Sequence, residues 1–201
     1  GGGASVGNIC KDCLKCANNM KCQMAARKGH LECLEYAHKH GCAWSYDTCY
    51  YAALNGHLNC LIYAHENGCE WNEDTCYLAA LNGHLDCLKY AHANGCSWNK
   101  LVCEYAARNG HLECLEYAHI NGCPWDESVC SGSAFSGKIK CLEYAYINEC
   151  PWDRRTCFNA AFNGHLDCLR YACINGCDYD KMMCFELAKN QDIREYIDDN
   201  M

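Results

Sequence analysis

Residues 56–82 read GHLNCLIYAHENGCEWNEDTCYLAALN, and this pattern returns every 27 residues from residue 22 to residue 190 without insertion or deletion. Its clearest mark is Gly-His-Leu, which begins at Gly29, Gly56, Gly83, Gly110 and Gly164, with a degraded copy at Gly137-Lys138-Ile139. A fixed period of about 20–50 residues indicates one small supersecondary unit stacked many times. The pattern therefore predicts a solenoid, a fold that offers extended surfaces and rarely encloses an active site.

Each repeat reads as two short helices. Residues 57–67 carry an apolar stripe of helical period, formed by Leu58, Cys60, Leu61, Tyr63 and Ala64. Asn67-Gly68 ends this helix, because glycine accepts the left-handed conformation common at helix C-termini. A second helix is predicted over 73–82, after the N-cap candidate Asn72. Helices of about ten residues are marginal alone, so stacking must stabilise the array.

Composition narrows the class of protein. The 201 residues carry a net charge of −8 without a basic stretch, which disfavours nucleic acid and anionic lipid as partners. The apolar stretches are too short to span a membrane, and no signal peptide opens the chain, so we expect a cytoplasmic protein. The 23 cysteines recur with the repeat, and Asn-x-Ser/Thr is absent, which indicates a reducing compartment rather than a secreted disulfide framework.

The run Thr-Cys-x-x-Ala-Ala-x-Asn-Gly-His-Leu-Glu/Asp-Cys-Leu-x-Tyr-Ala-x-x-Asn-Gly-Cys resembles the ankyrin repeat over about residues 19–198. The likeness lies in the Ala-Ala pair, the Gly-His turn, the acidic residue that follows, and the glycine with a small residue after the outer helix. The period is shorter than the usual 33, and the missing six residues fall where ankyrin repeats carry a β-hairpin finger. This Cys-rich form is similar to arrays in large DNA viruses of protists, and in protists and oomycetes.

The resemblance implies an all-α solenoid of stacked helix-turn-helix repeats without the hairpin fingers. It also implies a non-enzymatic scaffold that binds another protein, in the host cytoplasm if the chain is viral. We expect residues 1–8 to be disordered or a cloning remnant and residues 9–201 to form a single repeat domain. Within that domain we predict a half-repeat cap at 9–18, about seven helix pairs over 19–199 and a polar C-terminal cap from 191. The fifth repeat should be the softest, because Ser131-Gly132-Ser133 interrupts its inner helix.

The cysteines stand in three ladders, one on the inner helices, one on the outer helices and one in the loops. By resemblance these positions are buried and apolar in ordinary ankyrin repeats, so we expect small apolar filler and no cofactor. Zinc is the alternative, because a set of one histidine and two cysteines recurs in the repeats: His38, Cys42 and Cys49, then His65, Cys69 and Cys76. The His-x-x-x-Cys spacing places the first two side chains of each set on one helical face. A second metal-like set is Cys10, Cys13, Cys16 and Cys22. Disulfides also remain open.

Two other ladders invite functional interpretations. The histidine of the Gly-His turn, at His30, His57, His84, His111 and His165, recurs too regularly for a catalytic group. By resemblance it braces the backbone between neighbouring repeats. The tryptophans at 44, 71, 98, 125 and 152 are predicted to be stacked core along one edge rather than a ligand box.

A partner-binding surface is expected where residues vary within a fixed framework. Two positions of the inner helix, four residues apart and thus on one helical face, show this variation. If the stack curves as ankyrin arrays do, they line its concave side. The residues that we predict to bind a partner are Tyr50, Leu54, Tyr77, Leu81, Arg108, Phe135, Phe158 and Phe162. Some of these side chains could instead pack against the next repeat.

The sequence thus predicts a protein–protein interaction scaffold. Two other classes stay open. One is a zinc-binding or redox-responsive cysteine array, and the other is a structural subunit of a virion or filament that associates through its repeat ends. The outer face, with mixed charge, is predicted to be solvated.

Overall fold

The computed structural model describes residues 22–200, which form fourteen helices and no strand. Two compact units divide this part of the chain. The N-terminal unit ends at Trp98, and the C-terminal unit begins at Asn99. The segment predicted at 1–8 and the half-repeat cap predicted at 9–18 lie outside the described residues. Within residues 22–200, no helix is long and apolar enough to span a lipid bilayer.

The N-terminal unit contains three helix pairs. Its inner helices α1, α3 and α5 pack side by side, and its outer helices α2, α4 and α6 do the same. Their bounds are α1 Cys22–Lys28, α2 Leu31–Lys39, α3 Tyr46–Leu54, α4 Leu58–Glu66, α5 Asp74–Leu81 and α6 Leu85–Ala93. The predicted helices 57–67 and 73–82 correspond to α4 and α5 and agree within one residue at each end.

The C-terminal unit contains four helix pairs in the same alternation. The inner helices α7, α9, α11 and α13 contact one another in order, as do the outer helices α8, α10 and α12. Their bounds are α7 Leu101–Asn109, α8 Leu112–Ile120, α9 Glu127–Phe135, α10 Ile139–Ile147, α11 Arg154–Asn163, α12 Leu166–Ile174, α13 Lys181–Glu186 and α14 Gln191–Asn200. The last helix, α14, buries Ile193 and Ile197 and exposes its charged residues.

The Asn-Gly pairs end the outer helices by a shared mechanism. At the end of α4 the side-chain amide of Asn67 donates to the carbonyl oxygen of Tyr63 at 2.8 Å, and Gly68 takes a φ of 85°. A left-handed residue at this place is the common way to stop a helix. The fifth repeat keeps the turn although Glu149 replaces the glycine and adopts a φ of 62°.

The core consists mainly of cysteine, leucine and alanine. Ala52, Ala53 and Leu61 are fully buried, and the small alanines allow adjacent inner helices to approach closely. All of the ladder cysteines in residues 22–200 are buried thiols except the half-buried Cys42. Burial of these cysteines as small apolar side chains is therefore confirmed for the described residues.

The predicted interruption of the fifth inner helix is wrong. Helix α9 runs without a break from Glu127 to Phe135. The hydroxyl of Ser133 donates to the carbonyl oxygen of Val129 at 2.8 Å, so this buried serine is satisfied within the helix. The Asp126 carboxylate accepts from the Ser128 amide and caps the first turn.

Candidate protein interface

The eight predicted partner-binding residues all lie on inner helices, and we call their two sets the inner-helix faces of the units. The N-terminal face comprises Tyr50 and Leu54 on α3 with Tyr77 and Leu81 on α5. All four of these side chains are half-buried. Tyr50 also meets Tyr51 edge to face at 5.1 Å. These side chains therefore contribute to packing as well as to the surface.

The C-terminal inner-helix face is more exposed and more aromatic. It comprises Arg108 on α7, Phe135 on α9, and Phe158 and Phe162 on α11. Phe135 keeps 38% of its surface exposed and Phe162 keeps 48%, although both are large apolar side chains. Exposed aromatic groups of this kind are typical of interaction sites.

Two contacts hold this C-terminal face in order. The Arg108 guanidinium lies 4.7 Å from the centroid of the Phe135 ring, within cation–π range. The rings of Phe158 and Phe162 stack 5.8 Å apart with planes 15° from parallel. Side chains that are already ordered lose less conformational entropy when a partner binds.

A small cavity opens beside Phe158, between α11 and α13. It has a volume of about 160 Å³ and is lined by Arg154, Arg155, Phe158, Asp180, Met183 and Cys184. Pockets for small-molecule ligands usually have about 300–1,000 Å³. This cavity therefore suits one inserted side chain better than a metabolite.

Ion pairs fix the loops that lead into the inner helices of the C-terminal unit. Lys100 Nζ lies 2.7 Å from Asp126 Oδ2, and the Arg155 guanidinium contacts Asp153 at 2.8 Å and Glu127 at 3.0 Å. The hydrogen bond from Lys100, with the bonds from Ser128, lowers the pKa of the Asp126 carboxyl to about 2. Asp126 is thus ionised in its role as helix cap.

The tryptophans of the ladder were predicted to belong to the core, but their side chains are half-buried. Trp71 stacks on His65 with ring centroids 3.7 Å apart, and His65 Nδ1 is hydrogen-bonded to the Tyr90 hydroxyl at 3.1 Å. The indole Nε1 of Trp44 donates to the carbonyl oxygen of Asn67 at 2.7 Å. Tryptophans that stack on histidine rings at the surface repeat with the same period as buried tryptophans would. The period of the sequence therefore could not distinguish the two arrangements.

These contacts also occupy the histidines of the zinc alternative. Among residues 22–200, no three His, Cys, Asp or Glu side chains converge in a metal-binding arrangement. Of the second candidate set, Cys22 is described and donates its thiol to the Cys42 carbonyl at 3.8 Å. Cys10, Cys13 and Cys16 lie outside the described residues, so that set stays a prediction.

The Gly-His turn has the bracing role that the resemblance implies, at the position where it is seen directly. His165 Nε2 is hydrogen-bonded to the Phe135 carbonyl oxygen of the preceding repeat at 3.1 Å. In the loops, cysteine thiols make a similar link. The thiol of Cys69 donates to the Ser45 carbonyl at 3.3 Å, and that of Cys96 donates to the Asn72 carbonyl at 3.2 Å.

Burial makes four thiols of the outer-helix ladder poor nucleophiles. It raises the pKa of Cys60 to about 11 and, with the nearby Asp86 charge as a smaller cause, that of Cys87 to about 12. In the C-terminal unit burial raises the pKa of Cys141 to about 11 and that of Cys168 to about 12. These thiols stay protonated at neutral pH, which fits packing rather than catalysis.

Sequence reasoning missed a row of exposed isoleucines on the outer helices of the C-terminal unit. Ile120, Ile147 and Ile174 end α8, α10 and α12 and are 76%, 72% and 78% exposed. The same repeat position holds Lys39, Glu66 and the small Ala93 in the N-terminal unit. Comparing the repeats position by position would have found this change from charged or small residues to isoleucine.

Comparisons with known proteins agree with this architecture. A family model described as "Ankyrin repeats (many copies)" matches residues 76–127. Among solved structures, the crystal structure of the human ASB11 ankyrin repeat domain is similar with a TM-score of 0.74 and 15% identity. The match covers 88% of this chain and 95% of that one. No curated protein matches the chain.

The fold is therefore that of an ankyrin-repeat solenoid, as the sequence predicts. The described residues contain no β-hairpin finger, which agrees with the short period.

Proposed function

We propose that this protein is a non-enzymatic scaffold that binds another protein through its inner-helix faces, chiefly that of the C-terminal unit. Ankyrin repeat domains generally bind other proteins, and the fold is typically non-enzymatic. The observation that carries the proposal is the stacked Phe158–Phe162 pair beside the small cavity, with Phe158 half-buried and Phe162 48% exposed.

The chemistry of the face supports a protein partner. Aromatic and arginine side chains dominate protein–protein hot spots, and Arg108, Phe135, Phe158 and Phe162 are of these types. The cavity accepts a single apolar side chain, with Met183 on its rim 44% exposed. A partner that inserts one side chain there and covers Phe162 removes apolar surface from water, which drives association.

The overall charge of −8 argues against a nucleic acid or an anionic membrane as the partner. We therefore propose that the partner is a protein and that binding takes place in the cytoplasm. Self-association through the repeat ends and a role in a virion or filament remain alternatives that no specific contact favours.

Site-specific photo-crosslinking tests this function. Benzoylphenylalanine would replace Phe162 in one variant and Ile147 in a matched variant that is exposed on an outer helix of the same unit. Both variants would be irradiated in lysate from cells of the source organism. We expect a discrete crosslinked protein at position 162 that unmodified protein competes away.

Crosslinks at position 147 alone would contradict the proposal and move the binding surface to the exposed isoleucines. A crosslinked product with twice the chain mass would instead show self-association. Circular dichroism of both variants would establish that neither substitution alters the helices.

A further inference from the structure

The sixth repeat departs from the others at one outer-helix position. The first four repeats hold a histidine there and the fifth holds a tyrosine, whereas the sixth holds a cysteine: His38, His65, His92, His119, Tyr146 and Cys173. In the earlier repeats the ring stacks on the neighbouring tryptophan, as His119 does on Trp125 at 3.8 Å. The sixth repeat also replaces that tryptophan, with Tyr179. The aromatic contact is therefore exchanged for a thiol.

This thiol lies next to a second one. Cys173 Sγ on α12 is 3.9 Å from Cys157 Sγ on α11. Cys157 is fully buried, whereas Cys173 is half-buried, so solvent reaches the pair from the Cys173 side. A third thiol in the following loop, Cys177, also hydrogen-bonds with Cys157 and donates to the Asp153 carbonyl at 3.3 Å, so Cys157 has two neighbouring thiols. The neighbouring side chain Phe158 belongs to the proposed interface.

We propose that Cys173 and Cys157 form a redox couple that hydroperoxides oxidise to an intramolecular disulfide. In the first step the Cys173 thiolate attacks one oxygen of hydrogen peroxide, the O–O bond breaks, and the products are a Cys173 sulfenic acid and hydroxide, which becomes water by taking up the proton that the Cys173 thiol released. In the second step Cys157 Sγ attacks the Cys173 sulfur, the S–O bond breaks, and a second water leaves with the Cys157 proton. A thiol reductant reverses the change.

The local chemistry supports these roles. A hydrogen bond from Cys157 is the main cause that lowers the pKa of the Cys173 thiol, and it favours the thiolate on the more accessible sulfur. The two sulfur atoms need to approach by roughly 1.9 Å to reach a bond of about 2.05 Å. Side-chain rotation of the half-buried Cys173 supplies movement of this kind.

Peptide mapping tests the proposal on the unaltered chain. The native protein would be treated with one to five equivalents of hydrogen peroxide, alkylated and digested with trypsin. Cleavage after Arg155, Arg170 and Lys181 places Cys157 in the peptide 156–170 and Cys173 in the peptide 171–181. We expect these two peptides to become linked, with a loss of about 2 Da, and dithiothreitol to separate them.

Two variants assign the bond. Cys168→Ser removes the other thiol of the peptide 156–170, and the link should persist. Cys173→His restores the residue of the first four repeats, and the link should disappear, while a thermal melt establishes that this variant is folded. The buried Cys130 keeps the neighbouring loop thiol Cys150 but has Tyr146 at the position equivalent to Cys173, so it should stay reduced throughout.

Three results would overturn the couple. One is a disulfide of Cys177, either with Cys173 inside the single peptide 171–181 or with Cys157, in which case the link between the two peptides would persist in Cys173→His. Another is oxidation of Cys173 to a sulfinic acid, about 32 Da heavier, without a link. The third is a link that forms only after denaturation.

Discussion

The imidazole of His84 lies directly over Gly56, so that a Cβ atom at this glycine would be only 2.5 Å from Nδ1. Gly56 also has a φ of 74°, a backbone conformation that residues other than glycine rarely adopt. The same relationship holds between Gly137 and His165 in the C-terminal unit. His57, His84 and His165 each lie against the glycine of the preceding repeat, which gives a physical reason for the recurring Gly-His dipeptide.

Replacing Gly56 by alanine should destabilise the protein more than replacing Gly68. Both glycines have a positive φ, but nothing lies within 4 Å of a Cβ at Gly68. We expect Gly68→Ala to lower the free energy of unfolding by about 1–2 kcal/mol through backbone strain alone. Gly56→Ala should add roughly 1–3 kcal/mol for the displaced His84 ring. Urea unfolding measures both, and equal losses would show that the ring moves away without cost.

Replacing Gly132 by alanine should stabilise the protein. Gly132 lies inside the continuous helix α9, and a Cβ there would meet Arg108 Cβ at an ordinary 3.5 Å. Alanine in a helix interior is favoured over glycine by about 0.5–1 kcal/mol. A rise of that size in the free energy of unfolding is expected in urea titrations, and a fall would mean that Ser131-Gly132-Ser133 needs the freedom of glycine.

The sequence predicts the repeat period and the helix bounds well for a physical reason. Asn-Gly pairs and apolar stripes act locally, so α4 and α5 begin and end within one residue of their predicted bounds. Properties that depend on where side chains point were harder to predict from the sequence. The proximity of Cys173 to Cys157, the half-burial of Trp71 and the intact helix α9 all depend on tertiary contacts. The exposure of the eight predicted interface residues also depends on tertiary contacts, because a position whose residue type varies between repeats can face either solvent or the next repeat.

Asp126 should stabilise the C-terminal unit only when it is ionised. Its folded pKa, about 2, lies below the ordinary 3.8, so its contribution is present above pH 4 and is lost as the pH falls toward 2. Asp126→Ala should cost about 1 kcal/mol at pH 7, the usual value of a helix cap. The difference from the unaltered protein should shrink between pH 4 and pH 2. Asp126→Asn keeps the cap without the charge, so it should recover part of the loss; a loss that does not change with pH would contradict this role.

The buried thiols should make the protein sensitive to alkali. Burial raises the pKa of Cys87 from the ordinary 9.0 to about 12, so the folded state favours the protonated thiol. The contribution of the protonated thiol to the free energy of unfolding is fully present below pH 9. It is lost as the pH rises toward 12, by about 1.4 kcal/mol per pH unit for each such group. Cys87→Ala should show a shallower decline by about that slope. Urea unfolding at pH 9, 10 and 11 compares the two, and parallel declines would rule out Cys87 as a source.

The central claim is that the C-terminal inner-helix face binds a protein partner. Its most direct measurement is the affinity of the partner captured by crosslinking for Phe162→Ala, with Ile120→Ala as a control on the outer face and thermal melts of both. We expect Phe162→Ala to weaken binding about tenfold or more, as hot-spot truncations do, while Ile120→Ala and both melting temperatures stay unchanged. Unchanged affinity for Phe162→Ala together with a loss for Ile120→Ala would contradict the claim.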